Sequence, residues 1–234
     1  MARNGGIAVD WSLARLLAPA MLARTLSVNR DIFLRTVLLA FCFAWFVQQG
    51  GRFGDVTLAA NQTLLQLFLF TGLALDGTAI AAEALVGQAV GDRDPVRGLG
   101  RYRAAVRRTF IVAGVGALAC VAFYAVFGTA IVALLTPDGA IREAAARYMP
   151  WVILSPLAVV VGFQLDGIFI GATRAREMRD SMFLAGPLFL AASVMLAGSY
   201  GNHGLWAAFM LYFLLRAASL GAWLPGIRKE FAQV

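Results

Sequence analysis

Charge is scarce in this chain. Of its 234 residues 14% are charged and 60% hydrophobic, where a water-soluble domain carries roughly a quarter charged. With a mean hydropathy of +0.75, that shortage excludes a large aqueous catalytic domain and implies an all-α integral membrane protein. Lysine is nearly absent: 19 of the 20 basic residues are arginines, Lys229 being the exception, and most sit in short connections between apolar runs. The net charge of +7 therefore reads as membrane topology, and no nucleic acid is expected as a partner. Histidine is limited to His203, which rules out the metalloprotease pattern H-E-x-x-H; an intramembrane serine protease would need a serine beside a membrane-embedded histidine, and there is no G-x-S-x-G either. His203 itself reads as a turn residue in Gly201-Asn202-His203-Gly204. The two cysteines, Cys42 and Cys120, lie inside apolar runs, where a thiol is a small hydrophobe and neither a disulfide framework nor metal-ligand spacing arises. No enzyme and no cofactor are expected. The first 30 residues, broken by Arg15 and Arg24, lack the pattern of a signal peptide, so the first span is expected to act as its own insertion signal.

Apolar runs are what the chain has in abundance. Six can be marked, about 32–50, 57–90, 106–135, 148–171, 181–198 and 204–224, and each reads as a helix because a lipid-exposed segment must satisfy its own backbone groups. The expected fold is a bundle of six transmembrane helices over residues 31–234. Residues 1–30 form a cytoplasmic lead-in, in which 10–28 suits an interfacial amphipathic helix. Sixteen basic residues fall on one side of these runs and three, Arg52, Arg142 and Arg147, on the other. The positive-inside rule then places both termini in the cytoplasm. The second run, about 34 residues, is longer than a bilayer core requires and must tilt, kink or protrude. Pro150, Pro156 and Pro187 lie within runs, where they either bend helices for function or merely shape packing.

Ten of the thirteen acidic residues lie at run ends or connections, leaving Asp76, Glu83 and Asp166 within spans. A carboxylate near the bilayer centre costs about 2.5–3.5 kcal/mol on insertion scales, so each needs a partner, a watery cavity or a proton. Asp76 and Glu83, seven apart, share one helix face. Asp166 sits beside Gln164 and Gly167, nearer the cytoplasmic side. Two roles stay open for these acids: ion coupling, or pairing with Arg216 and capping of a broken helix. Arg216, inside the last run, reads as snorkelling along its own stem, with pairing to an intramembrane acid as the alternative. The amides Asn61, Gln62 and Gln66 on the second run either line a substrate path or bond neighbouring helices together. The tripeptide Leu75-Asp76-Gly77 recurs as Leu165-Asp166-Gly167.

Four strings resemble one membrane family: Asn29-Arg30-Asp31-Ile32-Phe33-Leu34-Arg35-Thr36, Leu58-Ala59-Ala60-Asn61-Gln62, Ala82-Glu83-Ala84-Leu85-Val86-Gly87-Gln88-Ala89-Val90-Gly91 and Leu165-Asp166-Gly167-Ile168-Phe169-Ile170-Gly171-Ala172-Thr173-Arg174. They are similar to the multidrug and toxic compound extrusion (MATE) family and its DinF-like branch. Members have two six-helix lobes, and this chain resembles the C-terminal lobe. The resemblance implies antiport in a bacterial inner membrane: efflux of amphipathic, often cationic compounds against inward H+ or Na+. It assigns cation binding to Asp166; by their own placement Asp76 and Glu83 are the further candidate ion-coupling acids, and Asn61, Gln62, Gln66 and Gln164 the candidate substrate-cavity amides. The acid that some members carry on the first helix of this lobe has no match here, where Cys42, Gln48 and Gln49 stand instead. One lobe cannot form both walls of an alternating-access site. The expected partners are therefore membrane lipid, the transported compound and a second six-helix lobe, from another chain or a second copy; a truncated, non-transporting fragment or an interaction subunit is the alternative.

Overall fold

The structure, a computed structural model, describes residues 19–231. They form five long helices: α1 (Pro19–Gly50), α2 (Asp55–Val90), α3 (Pro95–Leu135), α4 (Gly139–Gly171) and α5 (Ala175–Glu230), with a short 3-10 turn at Gly51–Phe53 after α1. Residues 19–28 of the expected lead-in helix continue into α1 without a break, and 10–18 lie outside the described residues. All five helices are long and apolar enough to cross a membrane.

Local chemistry marks the helix starts. Asp94 caps α3 by accepting from the backbone N–H of Val96 at 3.0 Å and Arg97 at 3.2 Å, with Pro95 in the first turn, where its missing N–H costs nothing. Asp138 caps α4 in the same way through Ala140 at 2.8 Å and Ile141 at 3.3 Å. The in-helix prolines leave carbonyls without their usual donors. For Pro156 the freed carbonyl is that of Val152, and the Ser155 hydroxyl supplies a donor at 2.8 Å, so α4 runs on through the proline.

The helix count departs from the six expected. The fifth and sixth apolar runs both lie in α5, whose 56 residues leave helical geometry at Gly201 (φ 58, ψ −142). The connection there is too short for a separate loop, so one glycine takes a conformation closed to other residues and the chain reverses. The reversal is shown by side chains: the Tyr212 hydroxyl donates to the Met182 sulfur at 2.9 Å, although a straight helix would hold them about 45 Å apart. Trp151 Nε1 donates to His203 Nδ1 at 3.1 Å, which fastens this turn to α4.

The centre of the bundle is the α2–α4 pair, with α3 packed across both and the two limbs of α5 against α1 and α4. One core, rich in aromatics, is built from Phe46, Phe68, Phe189, Trp206, Phe209 and Phe213. A second, at the arginine-rich end, gathers Val86, Tyr102, Ile168, Phe169, Leu220 and Ile227. The α2–α4 contact depends on glycine. A Cβ on Gly167 would collide with the carbonyl oxygen of Ala79 and lie 3.1 Å from its Cα; one on Gly171 would do the same against Glu83, 3.0 Å from its Cα. Spaced by four, the two glycines present one smooth strip to α2, the small-residue contact of membrane helices. Gly77, by contrast, faces open space.

At the α2–α3 turn, Asp92 accepts from the Asp94 backbone N–H at 3.3 Å and from Arg101 at 3.0 Å. The Asp94 N–H first, then the Arg101 guanidinium, hold its carboxyl below the usual carboxylate range. A carboxyl with a lowered folded pKa stabilises the fold above its unfolded value and loses that contribution as pH falls through the folded one. Asp92→Asn is therefore expected to lower the melting temperature at neutral pH, with the gap to wild type closing as pH drops below about 4. A gap that persists in acid would mean the effect is not ionic.

Candidate functional site

Asp166 lies in the last third of α4, 5% exposed, two residues from Gln164 and next to the glycine strip that draws α2 close. Arginines from two other helices meet it. Arg35 of α1 donates through Nη2 to Asp166 Oδ2 at 2.6 Å, and Arg216, on the second limb of α5, donates to the same oxygen. Arg216 is 2% exposed. It does not snorkel to an interface: burial among packed helices leaves its charge no water, and the carboxylate is the available counterion. The other carboxylate oxygen, Oδ1, is buried without a hydrogen-bond partner, as are Nε of Arg35 and Nε of Arg216.

Asp76, half-buried on α2, lies within electrostatic range of both Asp166 and Arg35. The recurrent Leu-Asp-Gly tripeptides thus come together in space, with Leu75 and Leu165 both buried. Their glycines differ in use: Gly167 is pressed on Ala79, whereas Gly77 is open. Glu83 is half-buried two turns along α2, about 10 Å from Asp76 in rise.

The amides separate into two groups. Gln62 and Gln66 are exposed on α2, on the side where Leu69, Phe70 and Leu73 are also exposed. Asn61 is buried, exchanging hydrogen bonds with Asn202 at 2.7 and 2.9 Å and accepting from Trp206 Nε1 at 2.9 Å. Gln164 donates to Thr78 Oγ1 at 2.6 Å and so joins α4 to α2. No group of three or more His, Cys, Asp or Glu able to hold a metal occurs among the described residues.

Arg35 is the member of this site that the sequence reading missed, having been assigned to topology with the other N-terminal arginines. One signal was available: it lies inside the first apolar run, three residues past its start, where a purely topological charge is out of place.

A model of the MatE family matches residues 32–186. DNA damage-inducible protein F of Escherichia coli (strain K12) is 44% identical over 199 residues, which are 85% of this chain and 42% of that protein. Protein DETOXIFICATION 42 of Arabidopsis thaliana is 24% identical over 198 residues, 83% of this chain and 37% of that one. Among solved structures, the crystal structure of a MATE in the bent conformation superposes with a TM-score of 0.75 at 14% identity, over 86% of this chain and 45% of that one, a likeness of fold. The chain spans about two-fifths of the length of these curated relatives. Family members are transporters, not enzymes. With two-thirds of its length matched by the family model and a relative at 44% identity, the chain belongs to the MatE family, in the branch of DNA damage-inducible protein F.

Proposed function

We propose that this chain is the C-terminal lobe of a transporter that exports amphipathic, often cationic, organic compounds against inward H+ or Na+. The observation that carries the reading is Asp166, a carboxylate in the last third of α4 buried among three membrane-capable helices of a MatE chain. An acid in that position is costly in a membrane and is retained where its charge state does work. Asp166 and Asp76 are the cation-responsive pair and Glu83 an outlying acid. Gln62 and Gln66 line the substrate path from their exposed positions, while Asn61, bonded to α5, and Gln164, bonded to Thr78 farther along α2, hold the wall. Each limb of α5 is a separate span, giving six, since roughly 20 residues cross a bilayer and both limbs exceed that. The basic bias puts both termini in the cytoplasm of a bacterial cell, the protein lying in the inner membrane with residues 1–30 as its lead-in.

A second six-helix lobe completes the machine, from another chain or a second copy, because alternating access needs two walls around the site. The exposed Phe33, Val37 and Phe41 of α1 and Leu69, Phe70 and Leu73 of α2 are apolar surface that such a partner or lipid covers. The test is co-expression with the N-terminal lobe of the Escherichia coli relative and dye efflux from right-side-out vesicles under imposed inward H+ or Na+ gradients. Efflux is expected with both lobes; efflux from this chain alone would identify a second copy as the other lobe. In Asp76→Asn, a neutral change at a half-buried position, the gradient dependence is expected to disappear. Efflux that keeps its dependence in this variant would overturn the coupling role. No efflux with either kind of second lobe would favour a non-transporting fragment.

A further inference from the structure

The two arginines on Asp166 are not equivalent. Arg216 is enclosed, its side chain 2% exposed, whereas that of Arg35 is 17% exposed. Arg35 comes from α1, which barely touches α2, and its neighbours Phe33, Thr36 and Val37 are exposed. It is bonded to Asp166 and also lies within electrostatic range of Asp76, without an ion pair to it. Two arginines and two aspartates make a cluster of zero formal charge, complete without an inorganic cation. It is nevertheless under-bonded: Asp166 Oδ1 and both arginine Nε atoms have no partners. That spare capacity lets Asp166 lose one donor without being left bare.

The other groups around the cluster do not replace Arg35. Tyr212, on α5, is within range of Asp166 and Arg216, and a phenol supplies no positive charge. Gln164, on α4, is bonded to Thr78 of α2, Glu83 is two turns away, and α3 has no charged residue between Thr109 and Leu135. Asp31, the single acid of α1, is paired with Arg179 at 2.7 Å.

We infer that Arg35 is a resident, displaceable counter-cation, a positioning residue that occupies the carboxylate of Asp166 with Asp76 nearby, so that an external cation binds Asp166 only as Arg35 withdraws. Arg216 stays as the permanent counterion. A proton or Na+ arriving beside a guanidinium meets like charge, so Arg35 sets how readily the carboxylates are taken up. The use of this competition in transport rests on the function proposed above; the occupancy is a property of the chain itself.

Dicyclohexylcarbodiimide tests it without any second lobe, because this apolar reagent adds to protonated carboxyls in membrane surroundings. The purified 234-residue chain in detergent is treated at neutral pH, and the adducts at Asp166 and Asp76 are counted by peptide mass spectrometry. Wild type is expected to label weakly. Arg35→Gln is expected to label at least about fivefold more at one or both aspartates, the local positive charge having gone. Arg35→Lys, which keeps the charge, is expected to return to the wild-type level, an outcome that a merely packing role would not produce. Arg35→Met, with its apolar stem, is a second variant in case glutamine is not tolerated; folding is judged by monodisperse elution. Wild-type labelling in a folded Arg35→Gln or Arg35→Met would overturn the inference, as would failure of both to fold while Arg35→Lys folds, which would make Arg35 a fixed structural cation. The two readings fail separately: unchanged labelling alongside gradient-driven efflux removes Arg35 alone, while gradient-independent efflux removes the coupling and leaves the labelling result intact.

Discussion

Asp166→Asn is expected to destabilise the isolated chain by roughly 3–5 kcal/mol, the cost of removing one partner from a buried ion pair. Most of this comes from Arg216. At 2% exposure it cannot reach water when its counterion is lost, whereas Arg35, more exposed, can retreat. The energy at issue is thus the penalty of an unpaired buried charge more than the intrinsic strength of the pair. Asp166→Asn combined with Arg216→Gln is therefore expected to recover much of the loss, because the double variant buries two neutral groups able to hydrogen-bond each other. Thermal melting in a fixed detergent, arranged as a double-mutant cycle over the two positions, measures the coupling. If Asp166→Asn alone cost less than about 1 kcal/mol, the range of solvent-screened pairs, the site would be open to water and the account of a dry ion cluster would fall.

Gly167→Val is expected to prevent α2 and α4 from closing. Overpacking of a core against movable side chains costs about 1–3 kcal/mol. Here the obstacle is the backbone of Ala79, which no rotamer change can clear, so the loss is at or beyond the upper end of that range. Gly171→Val meets the backbone of Glu83 in the same way. Even Gly167→Ala supplies the offending Cβ, so it should already be costly. The control is Gly77→Ala, which adds its methyl to open space in a helix and is expected to be neutral or to gain up to about 1 kcal/mol. Folded yield and melting temperature in detergent decide the matter. Equal behaviour of Gly167→Ala and Gly77→Ala would mean the helices do not approach as closely as the structure has them. Because the glycine strip brings Asp76 and Asp166 into range of each other, loss of the contact would also separate the charges of the candidate site.

Much of this protein was legible from residues alone. Long apolar runs force helices in a membrane, and the charged connections that carry Asp94 and Asp138 mark where they end. Asp166 stood out because a carboxylate inside an apolar run is expensive wherever the run is placed. The family, too, is written in strings of neighbouring residues. All of these are local properties: hydropathy and spacing act over one or two helical turns and do not depend on what lies across the bundle.

The partners of the charges were not legible. Arg35 and Asp166 are 131 residues apart and Arg216 and Asp166 are 50 apart; the placement of both arginines inside apolar runs hints that they turn inward, but nothing along the chain says which acid they meet. The different uses of Gly77 and Gly167 are also products of packing, since a glycine in a helix matters only where a neighbour occupies the space of its missing Cβ. Sequence by itself determined that a membrane helix bundle of this family would carry an intramembrane acid. Tertiary structure alone decided that the acid already has two cations on it, because burial removes water as a counter-solvent and only the assembled helices determine which charges remain near enough to replace it.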